Sequence, residues 1–539
     1  MTRVVLRSAA PALLLAACLL LPFHDKAFTI DDSIFLLAAR HAVADPLHPT
    51  AFDIAWHDAP ERVGPTFALM AWLLVPAVLS DKPESVAHVI ELLFFWLALL
   101  ATVSLAIRLG STPRWAMVAG LLLAATPVAL GMAGTAMADL PAMALGVSGL
   151  ERLVAWKQER RVHQALLAAL MLGLAPFARP HTALLLGIGS LLLVGDFLSS
   201  ASWRATKPVD WLPLAGAALA IASLLVLIRD PAPTAPSILA ESKLTLSVGR
   251  VGPNAVAFAT HWALFLPLAL PWTLLRPREV LRRWWVLLAA GGAAYLVLRV
   301  ANRASIPNAA LAGLGIAVLW DILADGLGRR DAVQVGLGLW LLLPLVAVPY
   351  LHFPAKYNLL AAPAAVLLVA RLAAQPGGVR ARLGVGGTAV LGVALGVAVL
   401  RADAAFADLG RRAAAELVAP QVAQGHRVWF LGHWGFHWYA ERAGARTITL
   451  TPPYPRPGDL VVSSLNSDKG NHLMPMVLRD FRFAYLGHLE DRTPGGRVMT
   501  EGAGFFSNNS GYLPWAWGTD VLDLFVLWRV DWARHALPP

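Results

Sequence analysis

"GPTFALMAWLLVPAVLS", residues 64–80, is the stretch on which the topology of this chain turns. It is apolar enough to enter a bilayer, and if it crossed, every later connection would change sides. It is short for a crossing, broken by Pro76, and flanked by Glu61 on one side and by Asp81 and Lys82 on the other. We read it as a helix lying at the outer interface, inside a first external loop that runs from about residue 23 to about residue 85.

The basic residues carry that reading. Arg3 and Arg7 precede the first apolar run, 3–22, which sets the N-terminus inside and makes that run an uncleaved first helix. With segment 64–80 kept out of the count, Arg108 and Arg114, "KQERR" (157–161), "WRATKP" (203–208), "RPREVLRR" (276–283), "GRRD" (328–331) and "VRAR" (379–382) fall on alternate connections, all on the inner side. The runs between them are 86–107, 115–133, 140–156, 163–178, 180–197, 211–228, 259–275, 284–298, 305–324, 333–350, 358–374 and 383–400. With the first helix they predict about thirteen spans and an external C-terminus.

Composition agrees. Of 539 residues, 57% are hydrophobic and only 14% charged, a balance that no soluble domain can bury. The net charge of +10 lies in short clusters between apolar runs, which excludes a nucleic-acid-binding reading. Cys18 is the single cysteine, so no intramolecular disulfide forms. The fold class read from the sequence is a polytopic α-helical membrane protein over residues 1–400, followed by a soluble α/β domain over 401–539. In the second part "RVWFLG", "ARTITLT", "GDLVVSS", "RFAYLGHL" and "DLFVLWRV" read as strands, and "WGFHWYAERAG" and "MPMVLRDF" as helices.

The outer connections collect polar residues that topology alone does not explain. The first loop holds the doublet Asp31-Asp32 and Arg40; "GTAMADLPAM" holds Asp139; "FARPHTA" holds Arg179 and His181. Lys243 lies in the long connection 229–258, Arg299 and Arg303 in "RVANRAS", and Lys356 and Tyr357 in "HFPAKYN". Cations on the outside run against the orientation rule, and together with carboxylates they suit an anionic lipid-linked substrate. Guanidinium and ammonium groups hold phosphate oxygens, and a carboxylate opposite them accepts a proton from an attacking hydroxyl. Each member has a plainer reading: a doublet is commonly a helix cap, and an aspartate before proline a turn. His433, His437 and Glu441, four apart, have zinc-compatible spacing but fit an amphipathic, aromatic-rich helix more simply.

These residues resemble the GT-C superfamily of polyprenyl-phosphate-dependent glycosyltransferases, within it the bacterial branch similar to aminoarabinose transferases and protein O-mannosyltransferases. An acidic pair in the first external loop is followed here by Ser33, Phe35 and Arg40, and segment 64–80 stands where such proteins have interfacial helices. Asp139 with Pro141, Arg179 at a broken helix junction, and Lys356-Tyr357 fill three further motifs; the second acid is Asp where the family has Glu. The resemblance implies a GT-C-like catalytic domain and an inverting hexosyl- or pentosyltransferase of the inner membrane. Its C-terminal domain would be periplasmic or extracellular. A polyprenyl-phosphate sugar would be the donor and an envelope lipid, glycan or protein the acceptor.

In that scheme Asp31 is the general base, with Asp32 and Asp139 beside it in the catalytic group. Arg179, Lys243, Arg299, Arg303 and Lys356 meet the donor phosphate, and Arg40, His181 and Tyr357 position substrate. The residues indicate no cofactor and require no metal. The alternative reading is a transporter or flippase for a lipid-linked substrate, although charges gather at the ends of spans rather than at the bilayer midplane.

Overall fold

The computed structural model describes residues 2–56, 60–63, 68–229, 248–264, 268–375, 378–449, 452–467, 479–500 and 502–534. Helix covers most of every apolar run expected to cross the membrane. Among the described residues six helices are long and apolar enough to cross: Thr2–Phe23, Pro83–Arg108, Pro208–Leu227, Ile306–Arg329, Ala355–Ala374 and Arg382–Ala423. A seventh is formed if Pro113–Ala124 and Pro127–Ala133, bent by 59° at the Thr126-Pro127 step, are taken as one span.

Among the described residues the full-length helices do not reach the expected thirteen, and prolines divide several of the runs. Val162–Phe177 and Pro180–Val194 are separate short helices around Arg179, and the run at 333–350 passes into a 3-10 turn at Leu343–Ala347. A proline removes a helical N–H and disfavours helix in the residue before it, so such breaks fall where the sequence carries X-Pro steps. Asp139–Glu159 is helical throughout and almost wholly buried.

Segment 64–80 is described from residue 68. It forms two short helices, Ala68–Leu73 and Val75–Val78, that meet at Leu74. Their ten helical residues rise about 15 Å, about half of a hydrocarbon core, so the described part of the segment is too short to span. Before them the first loop carries the helix Asp32–Ala44 and a small antiparallel hairpin, β1 (Asp53–Ala55) with β2 (Pro60–Arg62).

The final long helix, Gly378–Ala413, runs unbroken past residue 400 and leads through a π-turn at Ala414–Val418 into the sheet region. There β3 (Val428–Leu431), β4 (Arg446–Thr447), β5 (Leu460–Ser464) and β6 (Phe481–Glu490) are followed by the pair β7 (Gly495–Arg497) and β8 (Ala516–Gly518), then by β9 (Leu524–Ala533). The five-stranded sheet has the order β4-β3-β5-β9-β6, with β3 parallel to β4 and β5, and β9 antiparallel to β5 and β6.

Side chains alternate across it as the strand period requires. Val428, Phe430, Val462 and Phe525 pack on Leu409, Ala413 and Phe436, while Trp429, Val461 and Val530 pack on the other face. The strands predicted at 427–432, 458–464, 482–489 and 523–530 are present, the helix predicted at 434–444 runs over Trp434–Arg442, and of the strand predicted at 445–451 only Arg446–Thr447 is formed among the described residues; "MPMVLRDF" lies mostly outside the described residues.

Candidate active site

Asp31 is the N-cap of helix Asp32–Ala44, yet its carboxylate makes no capping bond. Instead Oδ2 accepts from Lys356 Nζ at 3.1 Å. The lysine is buried and the aspartate about one-third exposed, so the pair closes the wall of a solvent-reachable site. Lys356 sits on the 3-10 turn Ala355–Ala361, which places Tyr357 beside it. Tyr357 packs its ring near His181, with ring centroids 6.3 Å apart.

Asp139 opens the helix Asp139–Glu159, and its Oδ2 accepts from Arg179 Nη2 at 2.6 Å, with both side chains nearly buried. Arg179 lies close enough to Tyr357 and Asp31 to interact with both electrostatically. Two ion pairs, drawn from four separate connections, thus form one cluster.

Asp32 has a different task. It is fully buried; Oδ2 accepts from the Thr29 N–H at 2.8 Å and Oδ1 from the Ala136 N–H at 2.9 Å. Its carboxyl ties the first loop to the connection that delivers Asp139. Burial pushes the Asp32 carboxyl up to about 7, against the opposing pull of Lys26 and of the two backbone donors. The folded chain therefore holds a proton that the unfolded chain releases near the ordinary value of 3.8. Stability from this group is complete below that value and is lost as pH rises toward 7, a span on the order of 4 kcal/mol.

Asp32→Asn titrates nowhere in this range, and its amide can accept only one of the two N–H bonds. Its melting temperature in detergent should sit below wild type at pH 5 and vary less between pH 5 and pH 8. Equal slopes for the two proteins would remove Asp32 as the source.

Several buried polar groups around the cluster make no hydrogen bond among the described residues: Ser33 Oγ, Arg179 Nε, both carboxylate oxygens of Glu91, and the side-chain amide of Asn358. Glu91 lies within electrostatic range of Asp32 and Asp139. Buried polar atoms are satisfied in the great majority of cases, so a group of exceptions marks valences open to a ligand. Glu91 and Asn358 carry no sequence motif; the signal for Glu91 was a lone acid inside an apolar run, and for Asn358 its place two residues after Lys356.

Other expected members are engaged elsewhere. Arg40 pairs with Glu441 at 3.1 Å and lies over the Trp438 ring, reaching helix Trp434–Arg442 rather than the doublet. Arg303 donates to the backbone carbonyls of Asn508 and Asn509 at 2.9 and 2.6 Å. Arg299 ends helix Trp284–Val300 with its side chain exposed, and Lys243 lies outside the described residues. His437 bonds Glu441 at 3.1 Å, and both His433 and His437 pack on Trp56.

No family model matches the chain, and no curated protein matches it. Solved structures do. ArnT, the aminoarabinose transferase, from Cupriavidus metallidurans and bound to undecaprenyl phosphate, aligns with 99% of this chain and 99% of its own at 16% identity and a TM-score of 0.49. The archaeal oligosaccharyltransferase AglB from Archaeoglobus fulgidus, in complex with an inhibitory peptide and a dolichol-phosphate, aligns with 96% of this chain and 74% of its own, at 12% identity and a TM-score of 0.47. The arabinofuranosyltransferase AftD from Mycobacteria aligns with 98% of this chain and 41% of its own, at 16% identity and a TM-score of 0.39.

Proposed function

We propose that this chain is a membrane glycosyltransferase, moving a sugar from a polyprenyl-phosphate donor to an envelope lipid, glycan or protein on the outer face of the inner membrane. Residues 1–400 would form the catalytic part and residues 401–539 the outer domain. The observation that carries the reading is the convergence of Asp31–Lys356 and Asp139–Arg179 on one cluster, with unpaired donors beside it.

The chemistry follows from the charges. The acceptor hydroxyl attacks the anomeric carbon, a new oxygen–carbon bond forms as the carbon–oxygen bond to phosphate breaks, and the configuration inverts. The hydroxyl proton passes to Asp31, and the polyprenyl phosphate leaves as an anion held by Lys356 and by the open Nε of Arg179. Before the donor arrives Lys356 holds Asp31, which lowers its value as a base. An incoming phosphate competes for the ammonium, so donor binding itself uncovers the carboxylate.

Lys356→Ala should leave the protein inserted and weaken donor use roughly ten- to a hundredfold, the ~1.5–3 kcal/mol of a lost charge-assisted contact. Mass spectrometry of envelope lipids and glycans from a deletion strain should lack one sugar modification, restored by wild type and poorly by Lys356→Ala. An unchanged envelope in the deletion strain, with full activity of the variant in any transfer assay, would sink the reading.

A further inference from the structure

Asp31 and Lys356 are 325 positions apart, and neither is delivered by the interior of a regular helix. Residues 26–29 and 352–354, just ahead of the two charges, have no regular secondary structure. Their course has to be set by contacts from elsewhere, and on both sides the outer domain supplies hydrogen bonds to their backbone.

On the Asp31 side, the Phe28 N–H donates to the Tyr439 hydroxyl at 2.9 Å, and that hydroxyl donates to Glu84 Oε1 at 2.8 Å. Burial first, and the Glu84 charge second, hold the Tyr439 phenol well above its ordinary value, so the proton needed for this bridge stays in place. The Phe28 ring stands edge-on to Trp438 and stacks over Tyr439. Helix Trp434–Arg442 can approach this closely because residue 435 is glycine: a Cβ there would collide with the Phe28 carbonyl oxygen.

Thr29 Oγ1 donates to Asp403 at 3.0 Å, and Asp403, on the helix leading to the outer domain, also pairs with Lys26 at 2.8 Å. Between these ties and the doublet Ile30 adopts φ +39°, a left-handed conformation that a β-branched residue holds only when its surroundings impose it.

On the Lys356 side the pattern repeats. The Phe353 N–H donates to Asn508 Oδ1 at 2.8 Å, and the Ala355 N–H donates to the Phe505 carbonyl at 3.1 Å. Asn508 Nδ2 donates in turn to Asn254 Oδ1 at 2.9 Å, and Asn254 holds the Val348 and Tyr350 carbonyls. The amide captured by the outer domain lies three residues before the charged residue in both cases, at Phe28 before Asp31 and at Phe353 before Lys356.

We infer that the outer domain is a clasp that sets the register of Asp31 against Lys356, with Tyr439 and Asn508 as positioning residues. Adhesion between domains would be served by side-chain packing alone; here the domain also holds backbone amides on the two segments that deliver the reacting pair. A misplacement of about 1 Å in such a pair can cost on the order of a hundredfold in rate.

The inference rests on the proposed function for its rate effects but not for its geometry, and the test separates the two. In a Cys18→Ala background, Asp31→Cys with Lys356→Cys should be bridged efficiently by a short bifunctional thiol reagent in the full-length, detergent-purified chain. Adding Tyr439→Phe or Asn508→Ala should cut the bridged fraction several-fold while gel filtration still shows one monodisperse species. With the native pair in place, each of these two substitutions should lower kcat roughly ten- to a hundredfold and leave the donor KM within about threefold. Tyr439→Phe should add little to Asp31→Asn.

Unchanged bridging in both variants would overturn the clasp. Reduced bridging with unchanged kcat would overturn the positioning role. A wild-type protein that transfers no sugar would remove the proposed function, and the bridging result would still decide the clasp.

Discussion

Asp31→Asn is expected to lower turnover roughly 10²- to 10⁴-fold, the usual range for losing a general base, while donor binding survives. The amide keeps the size of the side chain and cannot accept a proton. In the structure Asp31 also holds the ammonium of Lys356 at 3.1 Å. Removing the carboxylate charge leaves that buried ammonium without its ion-pair partner, so a donor phosphate meets less competition. The expected signature is therefore a split, kcat falling steeply while the donor KM stays level or drops.

A residue that merely supported the loop would raise KM or lower the melting temperature instead. The measurement is steady-state transfer with purified protein, paired with direct titration of the polyprenyl phosphate. An acceptor that is already ionised needs no base, and the loss then shrinks to about tenfold from orientation alone. A silent Asp31→Asn beside a silent Asp32→Asn in transfer would mean that neither carboxylate takes part in the chemistry, and the transport reading would move ahead.

How much of this was legible in the sequence depends on how local the cause is. That segment 64–80 is broken could be read from Pro76, and its described part forms two short helices, Ala68–Leu73 and Val75–Val78. The central strands of the sheet could be read from short continuous apolar runs such as Val428–Leu431, since a strand buried on both faces keeps apolar side chains at every position. The site was legible as a set of suspects. An external cation needs a reason, and this rule picked out Arg179 and Lys356 along with Arg40, Arg299 and Arg303.

The rule does not say which reason applies. Arg303 is met by two carbonyls from a loop some 205 residues away, and Arg40 by Glu441 some 401 residues away. Nothing within a window of sequence separates those from a cation waiting for phosphate. The same distance hid Tyr439, Glu84 and Asn508. A tyrosine in an aromatic helix and an asparagine in a turn look ordinary until their partners at Phe28 and Phe353 are seen. The doublet itself divides: adjacent in sequence, Asp31 faces a lysine and Asp32 faces two backbone amides, because one helical step turns the second side chain about 100° away from the first.

Arg179→Ala is expected to do the most damage to the fold. Arg179 and Asp139 meet at 2.6 Å with 10% and 3% of their side chains exposed, so truncating the arginine strands a buried carboxylate. Breaking such a pair typically costs about 3–5 kcal/mol, far more than the pair gains over an apolar substitute. Loss of expression or melting would then hide any role in donor binding, and two companions separate the effects. Arg179→Lys keeps the charge opposite Asp139 but loses the fork, including the Nε that has no partner among the described residues. It should melt near wild type and use the donor roughly ten- to a hundredfold less well. Arg179→Met with Asp139→Leu replaces both charges by apolar groups of similar reach and should recover most of the melting temperature lost by Arg179→Ala, since no charge is left stranded. It should recover no transfer. Wild-type transfer by both Arg179→Lys and the apolar pair would make Asp139–Arg179 a structural strut, and the phosphate would have to be held by Lys356 and groups outside this pair.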